Sequence, residues 1–237
     1  GVVGAIGVQR SVDTQQAITF DMGGTSADVA LLQNMSPNYK YETNIGGFPV
    51  RLPMIDIHTV GAGGGSIAWF DRDGLLKVGP QSAGAQPGPA CYGHGGTNPT
   101  VSDANAVLGR LSPEGLLNGQ MSLDVTAARR VIQALADQLS LSVEAAAIGI
   151  LDIVVANMVR AIRTISIERG FDPREMSLIA FGGAGPLHAR DVAAALGMRQ
   201  IIIPPSPGIL CAKGLLYSPF KEDFVRAARI SLSDSAA

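Results

Sequence analysis

The sequence predicts an α/β fold in which a mixed β-sheet is flanked by helices. The first 80 residues contain short apolar segments separated by Gly-Gly turns, a pattern typical of strands. From residue 102 onward the pattern becomes helical, and between residues 177 and 203 it alternates strand, helix and strand. One helix, over residues 142–169, is apolar around most of its circumference and should therefore be buried on more than one side, against a sheet.

The first two predicted strands enclose a turn rich in glycine and hydroxyl groups. Residues 18–20 and 29–32 are apolar, and the segment between them reads Asp-Met-Gly-Gly-Thr-Ser-Ala-Asp, residues 21–28. The glycines permit a positive φ and the close approach of an anion, and the hydroxyl groups add hydrogen-bond donors. Asp21, at the end of the strand, could hold a metal-bound water or orient an attacking one. An ordinary Gly-Gly hairpin explains the spacing equally well.

The middle of the chain combines a long loop with two helices. Residues 79–100 are rich in Gly and Pro, and a connection of this length is usually functional or a linker. Asp124 or Ser122 can cap one helix, and Ser142 can cap the long apolar helix, which Gly170 ends.

The last third contains a second glycine-rich turn, residues 182–185, between a strand at 177–181 and a helix that ends near residue 196. Pro186 fits the first turn of that helix, and residues 200–203 form another strand. Unpaired N–H groups at such a helix start can receive a phosphate or a nucleotide edge. The same glycines can also serve only to let the strand and the helix pack closely.

Composition excludes several function classes. The net charge is −2 and no basic patch stands out, so the sequence predicts no nucleic-acid partner. The longest apolar stretch, residues 145–167, includes Asp152, Arg160 and Arg163, so no membrane span is expected. Two cysteines are too few for a disulfide framework and fit a reducing compartment, which predicts a cytoplasmic location.

A candidate metal site lies outside the glycine turns. On a strand, Asp56 and His58 would face the same side, and Cys91 in the Gly/Pro-rich loop could add a soft ligand for Zn²⁺ or Mn²⁺. A hydrogen bond between Asp56 and His58 at a strand end, with Cys91 merely buried, is the alternative. Residues 61–66, Gly-Ala-Gly-Gly-Gly-Ser, could form a second anion-binding nest or an unliganded connection between strands.

Several of these motifs resemble those of known ATPases. Residues 21–28 resemble the phosphate-binding hairpin of the superfamily that includes actin, heat-shock ATPases and sugar kinases, and residues 181–189 resemble its adenosine-binding turn. More narrowly, the chain is identified as a member of the hydantoinase A/oxoprolinase family, which includes the ATP-binding subunits of acetone and acetophenone carboxylases. Further motifs carry this resemblance over nearly the whole chain: residues 56–66, 86–93, 100–105 and 205–208.

The resemblance implies a ribonuclease-H-like lobe of an actin-like ATPase, in which nucleotide binds in a cleft between two lobes. Residues 1–237 would form a single lobe, with the Gly/Pro-rich loop at about residues 79–100 as an insertion. The family carries a first phosphate loop on its other lobe, and this sequence contains one such hairpin. We therefore expect the second lobe of a larger subunit, with weak nucleotide affinity and little turnover by itself.

The resemblance also implies ATP and Mg²⁺ as cofactors. Asp21 would act near the metal and the phosphate, and the hairpin contains no Lys, so Mg²⁺ must neutralise much of the phosphate charge. The implied phosphate-binding residues are Gly23, Gly24, Thr25 and Ser26, and the implied adenosine contacts are Gly182, Gly183 and Ala184.

The implied reaction is the ATP-dependent opening of a cyclic amide such as a hydantoin or 5-oxoproline. Phosphorylation of the amide oxygen would turn an unreactive ring into one that water can attack. The implied partners are the cyclic amide, the missing N-terminal lobe and a second hydrolase subunit of the hydantoinase B type. Two alternatives stay open: the ATP-binding subunit of a ketone carboxylase, and a non-catalytic structural or regulatory lobe.

Overall fold

A mixed sheet lies at the centre of the fold in the computed structural model, which describes residues 1–116, 119–220, 222 and 224. The strands are β1 (Gln16–Met22), β2 (Ala27–Gln33), β3 (Ser36–Pro37), β4 (Tyr39–Lys40), β5 (Thr43–Ile45), β6 (Phe48–Val50), β7 (Met54–Ile55), β8 (Ile57–Val60), β9 (Ser66–Phe70), β10 (Leu76–Ser82), β11 (Ser177–Phe181) and β12 (Gln200–Ile202). The helices are α1 (Val2–Ser11), α2 (Val101–Val107), α3 (Val125–Leu139), α4 (Val143–Ile165), α5 (Gly185–Leu196) and α6 (Leu210–Leu216).

The central sheet has the order β12-β11-β1-β2-β3, and β8 also pairs with β2. β1 runs antiparallel to β2 and parallel to β11, and β11 runs parallel to β12. Three two-stranded sheets, β9–β10, β4–β7 and β5–β6, lie outside this sheet. The predicted α/β class with a mixed sheet is confirmed.

Both faces of the central sheet are buried. Alternate residues of β1 (Ile18, Phe20 and Met22) are fully buried in the main core, which α4 and α5 complete. On the opposite face Ala17 packs in a second cluster with Phe181 and with residues of α1 and α6. Burial on both faces explains why β1 and β2 are nearly continuous apolar runs in the sequence.

Helix α4 is the central helix that the sequence predicts. The Ser142 hydroxyl accepts a hydrogen bond from the Ala145 N–H at its start, and Gly170, with φ of 83°, follows the last short turn. The helix packs against α2, α3, α5 and the central sheet, so its burial on more than one side is confirmed. By length and composition it is the one helix in the described residues that could cross a membrane, and ten of its residues are buried inside the fold.

Gly149 of α4 offers a test of helix packing. A Cβ at this position would have no neighbouring atom within 4 Å among the described residues. Gly149→Ala is therefore expected to raise the free energy of unfolding by about 0.5–1 kcal/mol, because Ala loses less backbone entropy in a helix. Urea unfolding measures the change. The matched control is Gly63→Ala, where the Cβ would lie 2.5 Å from the Thr25 nitrogen and should destabilise; a less stable Gly149→Ala variant would contradict the expectation.

Helix α1 departs from the strand-rich pattern expected for the first 80 residues. Its valines and glycines are poor helix formers, which explains the incorrect prediction. The glycines instead serve packing, because a Cβ on Gly4 would lie 2.7 Å from the Leu210 carbonyl oxygen, and one on Gly214 would lie 2.6 Å from the Gly4 nitrogen. Close contact between α1 and α6 therefore outweighs the low helix propensity.

The predicted Gly/Pro-rich loop begins later than expected. Strand β10 continues to Ser82, so the loop runs from residue 83 to residue 100 and is interrupted by one short 3₁₀ turn, Ala90–Tyr92. Thr100 then caps α2.

Candidate functional site

The turn between β1 and β2 is a tight hairpin, as the sequence predicts. Met22 pairs with Ala27, and the Gly23 N–H donates to the Ser26 carbonyl at 3.0 Å. Gly24 and Thr25 at its tip are exposed, and a Cβ on Gly24 would meet no described atom within 4 Å. The tip is therefore open to a ligand, while its role in phosphate binding stays a prediction.

The glycine run at residues 61–66 lies directly against this hairpin. The Gly64 N–H donates to the Gly23 carbonyl at 3.0 Å, and the Gly65 N–H donates to the Gly24 carbonyl at 2.6 Å. The Gly63 N–H is bound to the Ser66 hydroxyl at 2.8 Å. Because these three donors are already used, the run does not form a second anion nest. It supports the back of the hairpin.

The second glycine turn is joined to the hairpin through the backbone of Met22. The Ala184 N–H donates to the Met22 carbonyl at 2.9 Å, and the Gly182 N–H donates to the Pro207 carbonyl at 3.0 Å. Gly182 has a φ of 84°, and a Cβ there would overlap the Met22 carbonyl oxygen. The two turns that the sequence places 160 residues apart therefore form one unit.

A cavity of about 330 Å³ opens between the two turns. Its glycine-rich part is formed by the backbone of Gly23, Gly24, Gly64, Gly183 and Ala184. Its remaining walls are formed by Tyr92, Ser102, Asn105, Leu111, Leu116 and Leu187. One part of the cavity is therefore lined by small residues that leave the main chain accessible. The other walls are largely apolar. This combination suits a ligand with an anionic group and a flat apolar group.

Four of the predicted nucleotide-binding residues line this cavity, and three do not. Gly23, Gly24, Gly183 and Ala184 line it together. The Thr25 hydroxyl lies 3.4 Å from the Ser82 hydroxyl at the exposed rim, Ser26 closes the turn, and Gly182 is buried beneath it.

One wall of the cavity is anchored by the buried carboxylate of Asp103. Asp103 is 0% exposed and accepts hydrogen bonds from the Cys91 N–H at 2.7 Å and the Ala90 N–H at 3.3 Å. It also accepts from the Thr100 N–H at 3.0 Å and the Thr100 hydroxyl at 2.7 Å. These bonds fix the turn that carries Tyr92 to the start of α2. The Thr-x-x-Asp spacing of Thr100 and Asp103, which is typical of a capping box, is the sequence signal that could have identified this anchor. The sequence analysis assigned Asp103 no role.

Asn105 and His188 form a buried polar pair beside the same wall. The Asn105 Nδ2 donates to the Val101 carbonyl at 3.0 Å and lies 3.3 Å from the His188 Nε2. Burial, together with the nearby Arg110, lowers the pKa of His188 to about 4, so the ring is neutral at pH 7. Within the described ranges, the Asn105 Oδ1 and the His188 Nδ1 have no hydrogen-bond partner.

Asp21 lies in a different place from the predicted phosphate-binding glycines. It lines a smaller cavity of about 70 Å³ together with Asp28, its neighbour across β2. The Cys211 thiol donates to the Asp21 Oδ2 at 2.9 Å, and the Thr59 hydroxyl donates to the Asp28 Oδ1 at 2.6 Å. Sequence reasoning gave Asp28 no role, although a four-residue turn at 23–26 places residues 21 and 28 opposite each other.

The structure corrects the predicted metal site, because it does not bring Asp56, His58 and Cys91 together. No group of three or more His, Cys, Asp or Glu side chains in the described part of the chain could hold a metal ion. His58 pairs with Val29 in the central sheet, and Cys91 is buried in a separate apolar cluster with Ala106, Leu123 and Ala128.

The protonation states of two of these residues give the physical reason. Burial raises the pKa of Asp56, but hydrogen bonds from Lys40 and Arg169 outweigh this effect and hold the pKa below its usual value. The Lys40 Nζ lies 2.8 Å from one carboxylate oxygen, and Arg169 binds the other, so two cations already compensate this charge. Burial, with the nearby Asp103, raises the pKa of the Cys91 thiol far above its usual value. A protonated thiol is a poor metal ligand.

Comparisons with known sequences give matches over nearly the whole chain. The family model described as hydantoinase/oxoprolinase matches residues 1–224. The caprolactamase subunit alpha of Pseudomonas jessenii is 44% identical over 228 residues, which cover 96% of this chain and 33% of that protein. The 5-oxoprolinase PfmaA of Pestalotiopsis fici is 43% identical over 227 residues, which cover 90% of this chain and 18% of that protein.

Two solved structures share the fold. The crystal structure of the ATP-dependent caprolactamase from Pseudomonas jessenii matches with a TM-score of 0.82 and 44% identity, over 90% of this chain and 31% of that chain. The nucleotide-free structure of acetone carboxylase, from work on ATP-dependent acetone carboxylation, matches with a TM-score of 0.83 and 32% identity. The match covers 90% of this chain and 30% of that chain. The chain therefore spans about a third or less of the length of these relatives.

Proposed function

Because the chain belongs to the hydantoinase/oxoprolinase family, we propose that it is the nucleotide-binding lobe of an ATP-dependent cyclic-amide hydrolase. The observation that carries this proposal is the single cavity between two glycine turns that are joined through the Met22 carbonyl. The caprolactamase and the 5-oxoprolinase among the relatives are named for cyclic amides, which supports a ring of this class as the substrate.

The residues of the cavity fit ATP. A Cβ on either Gly24 or Gly183 would meet no described atom within 4 Å, so main chain at both turns is accessible to a ligand. In this proposal the phosphates bind to the backbone N–H groups of Gly24 and Thr25 at the hairpin tip. The base packs against the apolar wall that includes Tyr92 and Leu187.

The phosphates in this proposal need a positive charge beside them, which a bound Mg²⁺ would supply. The hairpin, residues 21–28, contains neither Lys nor Arg, so the hairpin itself supplies no cation to the phosphates. Asp21 and Asp28 lie one residue beyond the closing pair of the hairpin and are the carboxylates available to hold the metal or its water.

In the proposed reaction the protein positions the phosphates and the attacking group and forms no covalent bond to them. Transfer of the γ-phosphate of ATP to the amide oxygen would release ADP and activate the ring carbon; water would then add to that carbon, the ring C–N bond would break, and inorganic phosphate would leave. The lobe would hold the phosphates at the hairpin, and the Asp21 carboxylate would orient the group that attacks. The substrate-binding parts would lie on a further lobe and on a second subunit of the hydantoinase B type.

A ketone carboxylase subunit is the second candidate, because acetone carboxylase shares the fold. Identity with the caprolactamase is higher, 44% against 32%, which favours ring opening. The complete enzyme with its partner subunit should be assayed for ATP-dependent opening of caprolactam, 5-oxoproline and hydantoin, and for carboxylation of acetone and acetophenone with bicarbonate. Carboxylation without ring opening would replace the proposal by the second candidate.

A substitution at the second turn tests the nucleotide site directly. Gly183→Val is expected to weaken the binding of Mg-ATP by about tenfold or more, because its side chain would occupy the cavity between the turns. Isothermal titration calorimetry on the complete polypeptide measures the affinity. The control is Gly208→Val, since Gly208 also has free space around a Cβ and lies outside the cavity lining. An unchanged affinity in the Gly183 variant would argue against nucleotide binding at this cavity.

A further inference from the structure

Helix α4 keeps one face exposed, although its sequence is apolar around most of its circumference. At the two ends of this face Ile148 is 49% exposed, and Ile167, in the short turn that follows the helix, is 51% exposed. The side chains between these two isoleucines on the same face are exposed or partly buried: Asp152, Val155, Ala156, Val159, Arg160 and Arg163. Apolar side chains grouped on a surface in this way are typical of an interaction site.

The eight side chains of this face form two ridges on the helix surface, because residues four positions apart lie one above the other on a helix. One ridge consists of Ile148, Asp152, Ala156 and Arg160, and the other consists of Val155, Val159, Arg163 and Ile167. Six of these residues line a groove of about 450 Å³, to which α5 contributes the small side chain of Ala195. A second helix can therefore approach α4 closely along this face.

Three charged side chains on the ridges are without a partner of opposite charge. Asp152, Arg160 and Arg163 form no ion pair with any residue that the structure describes. Asp152 and Arg163 cannot bind each other within one copy of the chain, because eleven residues of helix separate them by about 16 Å. The face therefore fits a partner that presents a base and an acid in the reverse order.

The two ridges are complementary to each other when one of them is reversed in direction. The residues that this reversal brings together are Ile148 with Ile167, Asp152 with Arg163, Ala156 with Val159, and Arg160 with Val155. In the last pair the aliphatic part of the arginine can cover the valine. All four pairs share one midpoint, between residues 157 and 158, so a twofold axis at that point generates all of them. A surface that matches itself about a twofold axis is what a symmetric homodimer requires.

We propose that α4 is a dimerisation helix, and that its exposed face packs antiparallel against α4 of a second copy of this chain. Interdigitation of ridges with a spacing of four residues is the commonest class of helix packing, with the axes crossing at about 50°. Ala156 and Val159 form the close contact at the crossing, and Asp152 binds Arg163 of the second copy on each side of it. The face shares no lining residue with the cavity between the glycine turns, so the dimer does not depend on the proposed nucleotide binding.

Sedimentation equilibrium on the complete polypeptide tests the dimer. The wild type is expected to be dimeric at micromolar protein concentrations. Arg163→Asp and Asp152→Arg should each raise the dissociation constant of the dimer about 10- to 100-fold, because each change places two pairs of like charges across the twofold axis. Arg72→Asp is the matched control, since Arg72 is exposed in the β9–β10 turn, away from the two ridges, and its reversal should keep the wild-type constant.

A mixture of the two weakened variants distinguishes this interface from any other. The Arg163→Asp variant carries two acids on the face and the Asp152→Arg variant carries two bases, so an equimolar mixture should form a heterodimer within about threefold of the wild-type constant. A change within a single copy cannot produce this rescue. Unchanged constants in both variants, or a mixture that does not associate, would overturn the proposal. A monomeric wild type would also overturn it, and weaker binding of the second subunit by Arg163→Asp would then assign the face to that subunit.

Discussion

Replacing Asp103 with Ala is expected to lower the free energy of unfolding by about 3 kcal/mol or more. The carboxylate is fully buried and accepts four hydrogen bonds, from the N–H groups of Ala90, Cys91 and Thr100 and from the Thr100 hydroxyl. The variant would leave these donors in the protein interior without that acceptor. Urea unfolding monitored by circular dichroism measures the loss.

Asp124→Ala is the matched control for this prediction. Asp124 also caps a helix, but it is exposed and its carboxylate accepts a bond from the Ala127 N–H at 2.8 Å. Loss of an exposed cap of this kind costs about 1 kcal/mol. Equal losses in the two variants would contradict the role of Asp103 as a buried anchor. If a destabilised Asp103→Ala variant still bound Mg-ATP with wild-type affinity, the position of the cavity wall that carries Tyr92 would not depend on the Asp103 carboxylate.

The hairpin could be predicted from the sequence because all of its determinants are local. Two apolar runs flank a Gly-Gly turn, and the register Met22–Ala27 follows from the length of that turn. The bounds of α3 and α4 were predictable for the same reason, since Asp124 and Ser142 cap them from adjacent positions. Each of these features is fixed by residues within one or two turns of chain.

The sequence could not show whether Asp56, His58 and Cys91 form a metal site, because the partners of these side chains lie far away along the chain. Asp56 is bound by Arg169, which lies 113 positions further along the chain, and no local pattern connects the two. Alternation on a strand indicated only that Asp56 and His58 share a side. It could not show that Asp56 lies before the start of β8, nor that two cations already neutralise it.

The cavity could be predicted from the sequence only in part. Gly23, Gly24 and Gly183 belong to turns with a local sequence signature, and the structure brings these three glycines together at one cavity; their role in binding phosphate or nucleotide stays a prediction. Its walls were missed, because Asn105 and His188 are 83 positions apart and each is an unremarkable residue in its own helix. The capping box of α2 and the pair of Asn105 with His188 can be recognised as parts of one site only in the tertiary fold, which brings α2 next to α5.

Replacing Asp21 with Asn in the complete enzyme is expected to lower ATP turnover about 100-fold or more, the range for loss of a group that activates or orients an attacking species. The substitution removes the negative charge while keeping an oxygen that can accept from the Cys211 thiol, so the fold should persist. Asp21 lies outside the lining of the 330 Å³ cavity, and the affinity for Mg-ATP should therefore change less than turnover does. A coupled assay for ADP release, with calorimetry for binding, separates the two effects.

Two further variants show whether the charge of Asp21 or its packing matters. Cys211→Ala removes the thiol that donates to Asp21 and leaves the carboxylate charged, so turnover should stay within about threefold of wild type if the charge is what acts. Asp73→Asn, at an exposed position in the β9–β10 turn, controls for the loss of one acidic group. If Asp21→Asn retained wild-type turnover, the catalytic assignment would fall. Since Asp28 lines the same small cavity across the strand pair, Asp28→Asn would then be the variant to examine for the missing carboxylate function.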